Sequence, residues 1–288
     1  MSIRSLLALV DGGETSENAI EAAVSVGRAF DAYVEVLHVE TPVNPYMSVL
    51  SAGDGLAASV KLVDDFAQET RNRAMKAEEL FRSRCIGAGL SVIAPDAARP
   101  DGASFSWHLV TGHGNPELAR RGRLFDMIVM ARPDSKDGGA DSAALEAALF
   151  DTARPVLIAG RKPLAVADAH VAVAWDASRE AARSVGAALP FLRLAKRVTA
   201  IAVTDTPGAD GLEDLARYLG SHAIQPQLHP VPREECSIAE TLHHAISEMA
   251  ADLTVMGAYG HSVIGEFLFG GVTRDMLKDQ HIPLFLAH

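Results

Sequence analysis
The sequence predicts an α/β fold of two tandem, doubly wound, open parallel sheets. Short apolar runs alternate with stretches of helical periodicity, and strands separated by helices imply parallel pairing. The pattern also occurs twice. Ile3 to Val10 runs into Asp11 as His170 to Trp175 runs into Asp176. Asp126-Met-Ile-Val-Met is echoed by Asp252-Leu-Thr-Val-Met, and Arg154-Pro-Val-Leu-Ile by Ile282-Pro-Leu-Phe-Leu. Such echoes in chain order mark an internal repeat.

In the first copy, Ile3 to Val10 is a strand ending at Asp11-Gly12-Gly13. The next helix takes Thr15 or Ser16 as its cap and presents Ala19, Ile20, Ala23, Val24 and Gly27 on one face. Tyr33 to Val39 is the second strand. After the Pro-bearing loop PVNPY, a long helix is expected from Val60 to about Ile86, with Phe66, Ala74, Leu80 and Phe81 facing inward. Strand-like runs follow at Leu90 to Ala94 and Ser106 to Thr111. Asn115-Pro116-Glu117 opens a helix with proline in its first turn. Asp126 to Ala131 and Pro155 to Ala159 are the last strands of this copy.

The second copy begins after Gly160 to Ala169, which gives expected domains of 1–160 and 170–288. The interval from Asp11 to Asp126 is much longer than that from Asp176 to Asp252. The first copy therefore carries an insertion, placed between Pro42 and Arg99 and expected to act as a lid or interface. A helix is expected from Ser237 to Ala250, a buried strand over Asp252 to Met256, a helix from Arg274 to about Lys278 capped by Thr273, and a last strand from Ile282 to Ala287. The two last strands are apolar, so neither should remain an open edge, and they are expected to pack on each other.

With 48% hydrophobic and 22% charged residues, the 288-residue chain has a globular balance and material for two cores. A net charge of −11 disfavours a nucleic-acid partner. No apolar run approaches the roughly 18 residues of a membrane span, and the start has too short an apolar core for a signal peptide, so a cytoplasmic protein without membrane contact is expected. Cys85 and Cys236 have no metal-binding or redox spacing and read as structural thiols. Adjacent His243 and His244 point about 100° apart on a helix and cannot chelate one ion together.

The stretch from Asp252 to Leu277 carries the chemistry. Its strand stops at Gly257, and Gly257 and Gly260 are expected to turn the chain at positive φ and bring backbone N–H groups close to an anion. Gly270 and Gly271 then open a helix, whose N-terminus attracts negative charge. In open α/β sheets ligands bind at the carboxyl ends of strands.

This stretch resembles the universal stress protein family, whose nucleotide-binding members carry Gly-x-x-Gly, nine residues, then Gly followed by Ser or Thr. Gly257, Gly260 and Gly270 match, whereas Gly271 stands where the family has a hydroxyl, with Thr273 nearby. The resemblance implies a Rossmann-like, adenine nucleotide α-hydrolase-like topology and ATP as ligand, with or without Mg. It further implies that Asp176 lies near ribose and adenine, that Val203 reads adenine through its backbone, and that His261 lies near phosphate. Met256 and Val272 beside the glycines complete the expected cofactor-binding set. Asp176 equally suits a helix cap, and His261 an exposed loop position.

The first copy has Ala131-Arg132-Pro133-Asp134 in place of the glycine loop and reads as a degenerate structural partner. No nucleophile elbow, Walker lysine or dinucleotide fingerprint occurs. The expected function is thus a non-catalytic stress-response module that binds an adenine nucleotide in its second domain and signals to a protein partner. Its two domains would form an intramolecular pseudo-dimer, and a homodimer of whole chains is compatible with that. The alternatives are a nucleotide-free scaffold and a slow ATP-hydrolysing or adenylyl-transferring enzyme.

Overall fold
The computed structural model describes residues 2–40, 56–133, 140–205, 211–233, 235–259, 271–278 and 281–288. In chain order the first half contains β1 (Ser5–Val10), α1 (Ser16–Phe30), β2 (Tyr33–Glu40), α2 (Leu56–Gly87), β3 (Ser91–Val92) and β4 (Ser104–Thr111). It continues with α3 (Gly114–Gly122), β5 (Met127–Met130), α4 (Ala140–Glu146), a π-helical turn (Ala147–Asp151) and β6 (Val156–Ile158). The second half contains β7 (His170–Ala174), α5 (Arg179–Leu194), β8 (Arg197–Val203), α6 (Leu212–Ser221), β9 (Gln227–Val231), α7 (Ile238–Glu248), β10 (Leu253–Gly257), α8 (Gly271–Lys278) and β11 (Leu284–Ala287).

The strands form one sheet in the order β3-β4-β2-β1-β5-β6-β11-β10-β7-β8-β9. Each half is parallel throughout, and the halves meet where β6 runs antiparallel to β11, with Leu157 opposite Phe285. The expected packing of the two last strands is thus a hydrogen-bonded strand pair. The repeated aspartates hold equivalent places. Asp126 Oδ2 accepts the Ser5 N–H at 2.9 Å beneath β1, and Asp252 Oδ2 accepts the His170 N–H at 2.8 Å beneath β7. Burial alone would raise the Asp252 pKa, but Lys162, 2.6 Å away, and the His170 amide outweigh it and hold the carboxyl below its ordinary value.

Alternation along the strands splits the core into two layers. Leu6, Ala8 and Val10 face α1 and α2, in a layer that continues through Phe191 and Phe285 to Leu215 of α6. Leu7 and Ile128 face the opposite layer, which α4, the π-helical turn, α7 and α8 cover with Leu145, Leu149, Leu242 and Met276. Phe30 of α1, Phe191 of α5 and Phe285 of β11 make two edge contacts, with ring centroids 5.1 and 5.5 Å apart, across the junction of the halves. Gly27 lets α1 lie close to the sheet, since a Cβ there would sit 2.6 Å from Val34 Cγ2.

The inserted helix departs from expectation. It is already helical at Leu56, and Phe66 is 53% exposed where an inward position is expected. No residue from Asp64 to Arg73 is buried, and the face that packs begins only at Ala74, Ala77 and Phe81. The helix outruns the surface it can cover. The strand expected over Leu90 to Ala94 contracts to β3. Thr15 makes no side-chain cap bond on α1. Instead the Ser16 hydroxyl accepts the Gly12 N–H at 3.0 Å and donates to Asp11 at 2.7 Å. No helix among the described residues is long and apolar enough to cross a membrane.

Burial lowers the pKa of His38, His108 and His170. In the fold His38 bonds Val10 O through Nδ1, and His170 bonds Met249 O and the Thr199 hydroxyl. An unfolded chain binds protons at about pH 6.5, where the folded rings still resist them. The stability these rings contribute is therefore full above that pH and lost as pH falls through their folded values. The thermal midpoint should fall between pH 7.5 and 5.5, and a flat or rising profile across that range would contradict this.

Candidate functional site
A cavity of about 290 Å³ opens at the carboxyl ends of β7, β8 and β10, lined by Ala174, Trp175, Asp176, Val203, Ile238, Leu242, Met256, Gly257, Tyr259, Gly271, Val272 and Thr273. It draws together Asp176, Val203, Met256, Gly257, Gly271, Val272 and Thr273, all named from sequence. Gly260, His261 and Gly270 lie outside the described residues.

Each wall has a local cause. Asp176 follows β7, and its Oδ1 accepts the Ser178 N–H at 3.0 Å. Ser178, not Asp176, caps α5, accepting the Ala181 N–H at 3.1 Å. A carboxylate has acceptor capacity for several donors, so this turn leaves Asp176 able to accept from a hydroxyl. Val203 ends β8. Ile238 and Leu242, one helical turn apart, come from α7, which starts with a capping box between Ser237 and Glu240.

Gly257 is explained by packing and not by the expected positive φ. A Cβ there would lie 2.6 Å from Ala181 N and 2.8 Å from Glu180 C, in the first turn of α5. Among the described residues of the loop, Tyr259 is left-handed, at φ 63°. A non-glycine residue in that region costs on the order of 1–3 kcal/mol and needs surrounding structure to hold it. Its ring is buried and packs 5.3 Å from Phe150 of the π-helical turn, which also meets His288 at 4.6 Å. Burial raises the Tyr259 hydroxyl pKa, and Glu146 adds to it.

Thr273 does not cap α8, because it lies inside that helix, two residues past Gly271. Its buried hydroxyl accepts the Tyr259 N–H at 3.4 Å, tying the strand-end loop to the first turn of the helix. Gly271 is exposed, and the described residues beyond its own stretch of helix leave open space where its Cβ would be. The N-terminal side of α8 faces the cavity, and that end of a helix carries the positive end of its dipole. The cavity thus has an apolar interior, a carboxylate on one rim and the N-terminal side of α8 on another.

Sequence reasoning missed Ala174, Trp175, Ile238, Leu242 and Tyr259. Trp175 directly precedes Asp176, and Tyr259 lies between the two expected glycines, so strand-end position alone could have flagged both. Trp175 Nε1 is buried without a hydrogen-bond partner among the described residues. In the first half, α2 lies tight against the corresponding loop, and a Cβ on Gly12, at φ 80°, would be 2.5 Å from Arg73 O.

The universal stress protein family model matches residues 2–149. No curated protein matches the sequence significantly. Among solved structures, a universal stress protein from Archaeoglobus fulgidus DSM 4304 is similar at a TM-score of 0.65 and 18% identity, over 99% of this chain and 96% of that one. A protein of unknown function from Pseudomonas aeruginosa PAO1 is similar at a TM-score of 0.60 and 16% identity, over 99% and 92%. At these identities the likeness is one of fold, and it extends over both halves.

Proposed function
Because the chain belongs to the universal stress protein family, we propose that the cavity of its second half binds an adenine nucleotide, ATP with or without Mg, and that the protein is a non-catalytic stress-response module whose nucleotide occupancy is read by a protein partner. The observation that carries this reading is the convergence of Asp176, Val203, Met256, Gly257 and Gly271 on one cavity. A flat base suits the apolar walls from Ile238, Leu242 and Met256, a ribose hydroxyl suits Asp176, and phosphate suits the N-terminus of α8. A volume of about 290 Å³ suits a nucleoside, with charged phosphates left toward solvent.

In this reading residues 1–160 form a degenerate domain and residues 170–288 the nucleotide-binding one, the pair standing as two chains of a dimer would. Saturation should require one nucleotide per chain. The chain has two tryptophans, and Trp175 lines the cavity while Trp107 stacks near His38 and Phe81 in the first half. In a Trp107→Phe protein, Trp175 is the only tryptophan. ATP should then change its fluorescence saturably, with a calorimetric stoichiometry of one and negligible phosphate release. Two sites per chain, or neither heat nor fluorescence change at millimolar ATP, would defeat the proposal.

A further inference from the structure
We propose that Arg132, in the first half, is a positioning residue for the cavity of the second half. This rests on the nucleotide reading given above and assigns the first half a part in that same site. By the repeat, Ala131, Arg132 and Pro133 occupy the places of Gly257, Ala258 and Tyr259. Where one half has a loop that lines the cavity, the other has a long cationic side chain, and that side chain crosses the junction. Arg132 is 6% exposed. Its Nη1 donates to Met276 O at 3.0 Å and its Nη2 to Ile282 O at 2.7 Å.

These two acceptors are not equivalent surface groups. Met276 O lies in the last described turn of α8, toward the negative end of the helix dipole, so a guanidinium is well matched to it. Ile282 O lies on the approach to β11. One planar fork therefore fixes the end of α8 to the chain leading into the joining strand. The eight described residues of the helix span about 12 Å at 1.5 Å per residue, and they move as a rigid rod. Pinning its C-terminus sets the direction of its N-terminus, where Gly271, Val272 and Thr273 line the cavity. Phe150 braces Tyr259 from the same half. The first half thus holds both the helix and the loop in place, and none of its described residues lines the cavity.

A loosened α8 would populate the binding orientation only part of the time, and affinity falls by that fraction. Hydrogen exchange of the α8 amides and calorimetric titration with ATP, on the full chain, read the two parts of the proposal. In Arg132→Met the α8 amides should exchange faster, and ATP affinity should fall at least tenfold. Arg132→Lys keeps the charge and can reach one carbonyl, so it should recover part of both, and it carries the comparison if the methionine variant does not fold. Unchanged affinity in a folded Arg132→Met protein, or unchanged α8 exchange, overturns the role of Arg132. If the unsubstituted chain binds no ATP, the nucleotide reading fails separately, and α8 exchange alone then decides whether Arg132 holds the helix.

Discussion

Replacing Phe191 by alanine should destabilise the whole chain by about 3–5 kcal/mol, the usual cost of emptying a buried phenyl site. The ring is 1% exposed and stands between Phe30, from the first half, and Phe285, on the strand that joins the halves. Its loss removes a transfer contribution and leaves a cavity that neither a continuous sheet nor two packed helices can readily close. Because the same core layer runs from Leu6 to Phe285, the effect should be global. Urea unfolding followed at Trp107 and at Trp175, one in each half, should show coincident transitions, both moved to lower denaturant. A loss below about 1 kcal/mol, or a shift seen by only one tryptophan, would show that Phe191 does not hold the halves together.

Gly257→Val should cost about 1–3 kcal/mol, toward the upper end of the range for overpacking, and should abolish nucleotide binding. The atoms in the way are backbone, Ala181 N and Glu180 C, so no side chain can rotate aside. The first turn of α5 would have to retreat. Ser184, farther along that helix, donates to Met256 O and accepts from Ala287 N, each at 2.8 Å, so its retreat would also disturb β10 and β11. Gly271→Ala is the internal control, since the described residues beyond its own stretch of helix leave open space for a Cβ there and alanine is the better helix former. It should leave stability unchanged or slightly raised. Chemical denaturation of the two variants side by side decides it: equal losses would mean that the close approach at Gly257 is not what that position requires.

Much of this fold is legible because its signals are local. Apolar runs such as Leu6 to Val10 and Leu253 to Met256, each stopping at an aspartate or a glycine, give the strands and their carboxyl ends. The paired aspartates Asp126 and Asp252 are recognisable as a repeat because both satisfy backbone amides beneath a neighbouring strand. What escapes is set by distant partners. Phe66 has helical periodicity, yet whether it is covered depends on how far α2 extends past its neighbours. The need for glycine at 257 comes from α5, more than seventy residues earlier in the chain. Thr273 has a capping residue's chemistry, but α8 starts before it. Arg132 is visible in sequence only as part of a loop that lacks the glycine, because its acceptors are carbonyls of residues that the chain reaches long afterwards.

The antiparallel pairing of β6 with β11 gives the chain a freedom that identical subunits lack. In a two-fold assembly of one repeated chain every substitution appears on both sides of the axis. A mutation that traded the glycine loop for an arginine would then erase both ligand cavities at once. Here the two sides of the junction are encoded separately, so one loop can become Ala131-Arg132-Pro133 while the other keeps Gly257. Covalent linkage also makes their association independent of protein concentration, so dilution that would separate two subunits leaves this junction intact.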